Sequence, residues 1–228
     1  MSLFAIADLH LSLGTNKPMD DFPGWRDYVS RLEQNWRALV APEDTVVIAG
    51  DISWGMTLEQ ARTDFAFLES LPGKKLLLKG NHDYWWSTRR KMDQFIDEAG
   101  FTSLTIVHNT AEAVGEFAVC GTRGWFYDAE ADEDKKVLAR EAGRLNASID
   151  AAERTGLEPV VFLHYPPVWG DQVCEEFMTI LTERRIRRCY YGHIHGTGIR
   201  RAVQGTVRGV ELRLISGDSL SFTPLLVR

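Results

Sequence analysis

Short runs of apolar residues recur along the chain, and most of them end in acidic, amide or histidine side chains. Runs of this kind, rich in β-branched residues, are typical of buried strands. Five of them occupy residues 3–7, 45–49, 76–78, 160–163 and 189–191. A further run, residues 117–120, ends next to Thr122 and Arg123. These runs therefore predict buried strands with polar side chains at their carboxyl ends.

Segments with apolar residues at helical spacing lie between the runs. The predicted helices are residues 25–40, 57–71, 91–99, 134–152 and 177–185. Residues 206–228 lack this spacing and are predicted to form strands and turns. Alternating strands and helices are typical of an α/β fold. A length of 228 residues fits one domain, which we expect to span residues 1–228.

The polar residues at the ends of five runs form an ordered set. In chain order they are Asp8-Leu9-His10, Gly50-Asp51, Gly80-Asn81-His82-Asp83, His164 and Gly192-His193-Ile194-His195. Taken singly, several of these motifs have an ordinary structural explanation as a helix cap, a turn or a buried histidine. Taken together, they supply imidazole and carboxylate ligands at strand ends, where sites form in open α/β sheets.

Seven or more ligand atoms are too many for one tetrahedral ion. They suit two ions separated by about 3.5–4 Å. The sequence therefore predicts a site for two metal ions.

As a set covering residues 8–195, the motifs resemble those of the calcineurin-like metallophosphoesterases. The resemblance implies a four-layer α/β/β/α sandwich, with two mixed sheets flanked by helices and the metals at its loop edge. For the first metal ion it implies the ligands Asp8, His10, Asp51 and His195. For the second it implies Asp51, Asn81, His164 and His193, with Asp51 bridging the two ions.

The resemblance also makes His82 the catalytic histidine that contacts substrate and leaving group, with Asp83 orienting it. Asn81 and His82 would contact the substrate phosphate. Two cations would polarise the phosphoryl oxygens and lower the pKa of a shared water, and the resulting hydroxide would attack phosphorus. The mixed nitrogen and oxygen ligand set admits Mn, Fe, Zn, Co or Ni.

Arg123 has two explanations, a clamp on the substrate phosphate or a surface ion pair. The aromatic residues near the motifs, among them Trp54 and Trp85, also have two explanations. They form a rim around the substrate, or they pack in the core and loops. We expect hydrolysis of a small phosphomonoester or phosphodiester. The alternatives are a Ser/Thr phosphoprotein phosphatase, a nuclease, and a binding scaffold without enzymatic activity.

Charge and cysteine content indicate which partners and which cellular compartment suit the protein. The formal net charge of −6 argues against a nucleic-acid partner, because phosphate backbones are bound by Lys and Arg. Three widely spaced cysteines do not form a disulfide framework and suit a reducing compartment. The chain lacks an apolar run of about 18 residues, so we predict a cytoplasmic protein without a membrane partner. The charged stretch at residues 128–136 predicts a loop, and the oligomeric state is open.

Overall fold

The computed structural model describes residues 1–125 and 131–228, which form two large β-sheets, a two-stranded ribbon and flanking helices. The strands are β1 (Leu3–Ile6), β2 (Thr45–Ala49), β3 (Lys74–Leu78), β4 (Leu104–Ile106), β5 (Glu112–Val114), β6 (Phe117–Thr122), β7 (Glu158–Leu163), β8 (Val168–Trp169), β9 (Gln172–Val173), β10 (Arg188–Tyr191), β11 (Gly205–Val207), β12 (Val210–Leu214) and β13 (Leu225–Leu226). The helices are α1 (Tyr28–Leu39), α2 (Leu58–Ser70), α3 (Arg89–Ala99), α4 (Asp132–Glu153) and α5 (Glu175–Glu183), with a 3₁₀ helix at Gly196–Arg201.

Both large sheets are mixed. The first has the order β13-β1-β2-β3-β4, in which β1 to β4 are parallel and β13 is antiparallel to β1. The second has the order β11-β12-β10-β7-β6-β5, with a parallel centre and antiparallel strands at both edges. Parallel neighbours need crossover connections, which α1, α2 and α3 supply in the first sheet and α4 and α5 in the second.

Three apolar clusters separate four layers. Alternate residues of β1 face opposite sides of the sheet. Phe4 and Ile6 therefore pack with α1, α2 and α3, whereas Leu3 and Ala5 pack against the second sheet. The third cluster joins the outer face of the second sheet to α4 and α5. The predicted α/β/β/α sandwich is confirmed.

The helix ends follow local sequence signals. Thr57 caps the N-terminus of α2, where its side chain accepts a hydrogen bond from Gln60 N. Thr88 caps α3 in the same way through Lys91 N. Gly100 ends α3 in the left-handed region, with φ at 71°. All five predicted helices are present, with ends that differ from the prediction by a few residues. Of the predicted charged loop, residues 128–130 lie outside the described residues, and residues 132–136 belong to α4.

The parallel strands place the predicted motifs at one edge of the molecule. In the first sheet β1, β2 and β3 lead into Asp8, Asp51 and Asn81. In the second sheet β7 and β10 lead into His164 and His193. Because the two sheets pack face to face through the shared cluster, these ends meet across the sandwich.

Candidate metal centre

The structure brings all seven predicted metal ligands into one cluster. His195 Nε2 lies 3.3 Å from Asp8 Oδ1, and His10 Nε2 lies 3.6 Å from Asp51 Oδ2. His164 Nε2 lies 3.4 Å from the same Asp51 oxygen. The side-chain oxygen Oδ1 of Asn81 is 2.7 Å from His164 Nε2 and 2.9 Å from His193 Nδ1.

The carboxylate–imidazole separations of 3.3–3.6 Å are close to those of atoms that share a cation, whereas the two Asn81 separations are hydrogen-bond distances. Ligands with metal bonds of about 2.1 Å stand roughly 3.0–3.4 Å apart in octahedral or tetrahedral geometry. Asp8 belongs to two groups of close ligand atoms, one with His10 and His195 and the other with Asp51 and His164. Asp51 Oδ2 lies between His10 and His164, a position compatible with bridging two ions.

The charges of the cluster call for a cation. Asp8 and Asp51 are buried, and within residues 1–125 and 131–228 neither carboxylate forms an ion pair with a lysine or arginine. Buried carboxylates need a cationic partner, and in the metal-free chain protonated imidazoles such as His195 take that place. His195 Nε2 is also buried, and its 3.3 Å contact with Asp8 Oδ1 lacks hydrogen-bond geometry. Two divalent cations, which the residues present fit, would satisfy both the charges and this nitrogen.

The close contacts between carboxylates and imidazoles also shift the pKa values of both kinds of group. Burial by itself would raise the pKa of Asp8, but His195 and His164 lower it to about 2. Burial opposes the charged form of His195, but Asp8 and Asp218 outweigh it and raise the pKa of His195 to about 10. The carboxylates thus draw protons onto neighbouring imidazoles, and metal binding at these ligands would release them.

Groups outside the cluster orient its imidazoles. His195 Nδ1 lies 2.9 Å from Asp218 Oδ1, and His164 Nδ1 lies 3.2 Å from the carbonyl oxygen of Ala49. Each contact leaves Nε2 facing the cluster, as expected of partners that fix the tautomer of a metal ligand. The sequence prediction missed Asp218. It follows a Gly after the apolar end of β12, the same signal that identified Gly50-Asp51.

Four of the predicted ligands have left-handed backbone conformations. The φ angles are 60° at Asp8, 44° at His10, 51° at Asp51 and 71° at His193. Non-glycine residues seldom adopt this region, and such conformations concentrate at functional sites. Gly50 explains the close approach of two of the loops, since a Cβ there would lie 2.7 Å from Gly80 Cα.

Asp83 makes a different contact from the one predicted. Its carboxylate accepts hydrogen bonds from the backbone N–H groups of the two metal-binding loops and from one indole, and no hydrogen bond to the His82 ring is found among the described residues. The donors are Gly80 N at 2.7 Å, Ile52 N at 2.8 Å, Asp51 N at 2.9 Å, Trp85 Nε1 at 3.0 Å and Ser53 N at 3.3 Å. Five donors hold the carboxylate inside the loops, so Asp83 positions Asp51 and Asn81 rather than the imidazole. Burial, together with the Asp51 carboxylate, raises the pKa of Asp83 to about 6.

His82 lies half-buried beside the cluster. Its backbone N donates to Asp51 Oδ1 at 2.7 Å, and its ring stands 5.7 Å from the His10 ring. Its Nδ1 lies 3.3 Å from the Tyr84 hydroxyl oxygen, which orients the ring. Burial lowers the pKa of His82. The ring is therefore next to the ligands without being one of the clustered ligand atoms.

The aromatic residues near the motifs divide between the two explanations. Trp54 stacks on His10 at 4.9 Å and lies 4.5 Å from the His82 ring, so it borders the centre. The ammonium of Lys17 sits 3.2 Å above the same indole. Trp85 is buried in the core and binds Asp83 through its indole N–H.

Arg123 contacts residues that lie outside the metal cluster. One of its terminal nitrogens lies 3.6 Å from the buried carboxylate of Glu141, and its guanidinium stacks on Trp125 at 4.4 Å. It lines a small cavity with Lys79, His108, Glu141 and Arg144, and none of the predicted metal ligands lines that cavity. Its contact with a substrate phosphate stays a prediction.

A family model described as calcineurin-like phosphoesterase matches residues 1–197 of this chain. The Gene 66 protein of Mycobacterium phage D29 is 30% identical over 122 residues, covering 45% of this chain and 60% of that protein. The Gene 66 protein of Mycobacterium phage L5 is 39% identical over 57 residues, covering 25% and 27%. The chain thus spans less than two thirds of the length of each of these two curated relatives.

Solved structures share the fold at low sequence identity. A phosphopantetheinyl hydrolase (PptH) from Mycobacterium tuberculosis has a TM-score of 0.54 and 15% identity, covering 99% of this chain and 95% of that one. The protein TT1561 of Thermus thermophilus has a TM-score of 0.53 and 13% identity, covering 85% and 81%. Across the described residues, none of the helices is long and apolar enough to cross a membrane.

Proposed function

We propose that this chain, which belongs to the calcineurin-like phosphoesterase family, hydrolyses small phosphate esters with two divalent metal ions. One observation carries the proposal. Ligand side chains from five strand ends surround two buried carboxylates that lack a lysine or arginine partner among the described residues. When bound, the ions supply Lewis acidity and a water of lowered pKa.

Each residue of the cluster has a proposed role. Asp8, His10, Asp51 and His195 would hold one ion, and Asn81, His164 and His193 would hold the other together with Asp51. Asp218 and Asp83 keep these ligands in position, the first through His195 Nδ1 and the second through the loop backbone.

His82 is free to act on the substrate. Its ring stands beside the cluster and is half-open to solvent, so a phosphate ester bound at the metals would lie within its reach. A proton or hydrogen bond given to the leaving oxygen by such a group contributes roughly 10²–10⁴ in rate. The Tyr84 hydroxyl at Nδ1 leaves Nε2 available for this step.

The identity of the ester is a separate part of the proposal. The phosphopantetheinyl hydrolase is similar at 15% identity, a level that supports a shared fold and leaves the substrate to be measured. Mn, Fe, Zn, Co and Ni all fit the mixed nitrogen and oxygen ligands.

The test begins with metal-free protein. The chain is stripped with chelator, restored with Mn²⁺, and its metal content is counted before hydrolysis of p-nitrophenyl phosphate and of its bis-ester is measured. We expect hydrolysis that requires added metal. Faster turnover of the bis-ester would assign a phosphodiesterase, and faster turnover of the monoester a phosphatase. Two bound ions per chain without turnover of either ester would overturn the proposal in favour of a binding scaffold.

A further inference from the structure

A cavity of about 540 Å³ lies beside the metal cluster. Phe22, Pro23, Trp25, His195, Thr197 and Arg200 line it. We call it the Phe22–Arg200 pocket. Its volume falls within the roughly 300–1,000 Å³ of sites that bind small molecules.

The pocket shares a wall with the candidate metal centre. His195 lines the pocket, and its Nε2 lies 3.3 Å from Asp8 Oδ1 in the cluster. The Trp25 ring stands 5.5 Å from the His195 ring and 5.6 Å from the His10 ring. A phosphate ester whose phosphorus lies at the metals can therefore extend its remaining atoms into this space.

One side of the pocket is apolar, and part of it is rigid. Trp25 is buried and packs edge-on against Tyr28 at 5.2 Å and against Phe222 at 4.9 Å, so it has little freedom to move. Phe22 is 55% exposed, and Pro23 follows it. An exposed phenylalanine next to a buried indole suits an apolar or aromatic group that would cover both.

The other part of the lining carries the positive charge of Arg200. Arg200 is exposed, and in the part of the chain that the structure describes no carboxylate lies within ion-pair distance of it. Two other exposed arginines differ in this respect, because Arg201 pairs with Asp171 and Arg208 pairs with Glu175. The planar guanidinium of arginine suits a carboxylate or phosphate. Thr197 also lines the pocket.

We infer that the Phe22–Arg200 pocket binds the alcohol portion of the substrate, and that this portion combines an apolar or aromatic body with a second anionic group. The inference rests on the proposed function, since it needs phosphorus at the metal cluster. The body packs on Phe22 and Trp25, and the second anionic group pairs with Arg200. The pocket thus selects among phosphate esters by what they carry beyond the scissile bond.

The test uses three phosphate esters of primary alcohols, whose leaving groups have similar intrinsic reactivity. They are ethyl phosphate, 2-phenylethyl phosphate and 2-(4-carboxyphenyl)ethyl phosphate, made as monoesters or as methyl diesters according to the class that the enzyme prefers. The full chain with two Mn²⁺ ions is assayed for kcat/KM with each. We expect an increase of about tenfold for the phenyl ring and a further increase of about tenfold for the carboxylate.

Variants assign each increase to one side of the pocket. Arg200→Gln removes the gain from the carboxylate, and Phe22→Ala reduces the gain from the ring. Arg187→Gln is the matched control, since Arg187 immediately precedes the amino end of β10, whereas His193 follows its carboxyl end. Ratios between esters are compared, so that differences in the active fraction of each preparation cancel. The three side chains are largely exposed, and thermal unfolding checks that the variants fold.

Binding of the product gives a readout apart from turnover. Calorimetry measures 4-(2-hydroxyethyl)benzoate against the metal-loaded chain, and Arg200→Gln is expected to weaken its binding by about tenfold. Equal kcat/KM for the three esters, or ratios that Arg200→Gln and Phe22→Ala leave unchanged, would overturn the pocket while the hydrolase stands. Two bound ions without turnover of any ester would overturn the proposed function and the pocket together.

Discussion

Replacing Asp83 with asparagine tests whether one buried carboxylate holds together the loops that carry Asp51 and Asn81. Oδ2 of Asp83 accepts from Gly80 N and Asp51 N, and Oδ1 accepts from Ile52 N, Ser53 N and Trp85 Nε1. An asparagine replaces one of these oxygens with an NH₂ group. Whichever oxygen is lost, at least two buried N–H donors then face another donor.

The size of the effect follows from that count. A buried donor left without an acceptor costs about 1–3 kcal/mol, so the substitution should destabilise the metal-free protein by about 2–6 kcal/mol. In a chain of this length each kcal/mol corresponds to about 2–4 °C of melting temperature. For a central value of about 4 kcal/mol, the melting temperature should fall by roughly 8–16 °C. Displacement of the ligand loops should also weaken metal binding by about 10–100-fold.

Thermal unfolding in excess chelator measures the first effect, and titration of Mn²⁺ by calorimetry measures the second. Asp97→Asn is the matched control, because Asp97 is exposed on α3 and its carboxylate has no hydrogen-bond partner in the described structure. This control should stay within about 0.5 kcal/mol of the parent protein. If Asp83→Asn melted at the parent temperature and bound two Mn²⁺ ions with parent affinity, the positioning role would be refuted.

Three further substitutions probe other links. Asp51→Asn should abolish binding of the metal pair, because it removes the carboxylate that we propose both ions share. Two metals per chain by native mass spectrometry, together with full turnover in the ester assay, would contradict this. His82→Ala should keep both metals and lower kcat by about 10²–10⁴-fold, whereas an unchanged kcat would remove His82 from the chemistry. Burial opposes ionisation of Glu69, but hydrogen bonds from Ser103 and Thr102 outweigh it and lower its pKa. Stabilisation by a carboxylate of lowered pKa is present above its unfolded pKa and disappears as pH falls through the folded pKa. Glu69→Gln should therefore destabilise the metal-free protein by about 1 kcal/mol at pH 7. Urea unfolding at pH 7 and at pH 3 tests whether the difference shrinks on acidification, and an equal difference at both would argue against the ionised group.

The local elements were determined by the sequence because their signals are local. The apolar run at residues 45–49 became β2 with the same bounds, and threonines and glycines placed helix ends within a few residues. The meeting of the candidate ligands was also predictable in part, because the parallel strands of each sheet bring their carboxyl ends to one edge. The four-layer architecture followed from the resemblance that this ordered set carries.

Contacts between distant segments were decided by the tertiary structure alone. The five donors on the Asp83 carboxylate and the pairing of Asp218 with His195 depend on which loop lies within hydrogen-bond distance. Arg123 came to lie against Glu141 for the same reason. The Phe22–Arg200 pocket joins segments about 170 residues apart in the chain. The residue type determines which groups a side chain is able to bind. Only the folded chain determines which of them lies within contact distance, because a buried polar group pairs with the partner that the packing of the layers places beside it.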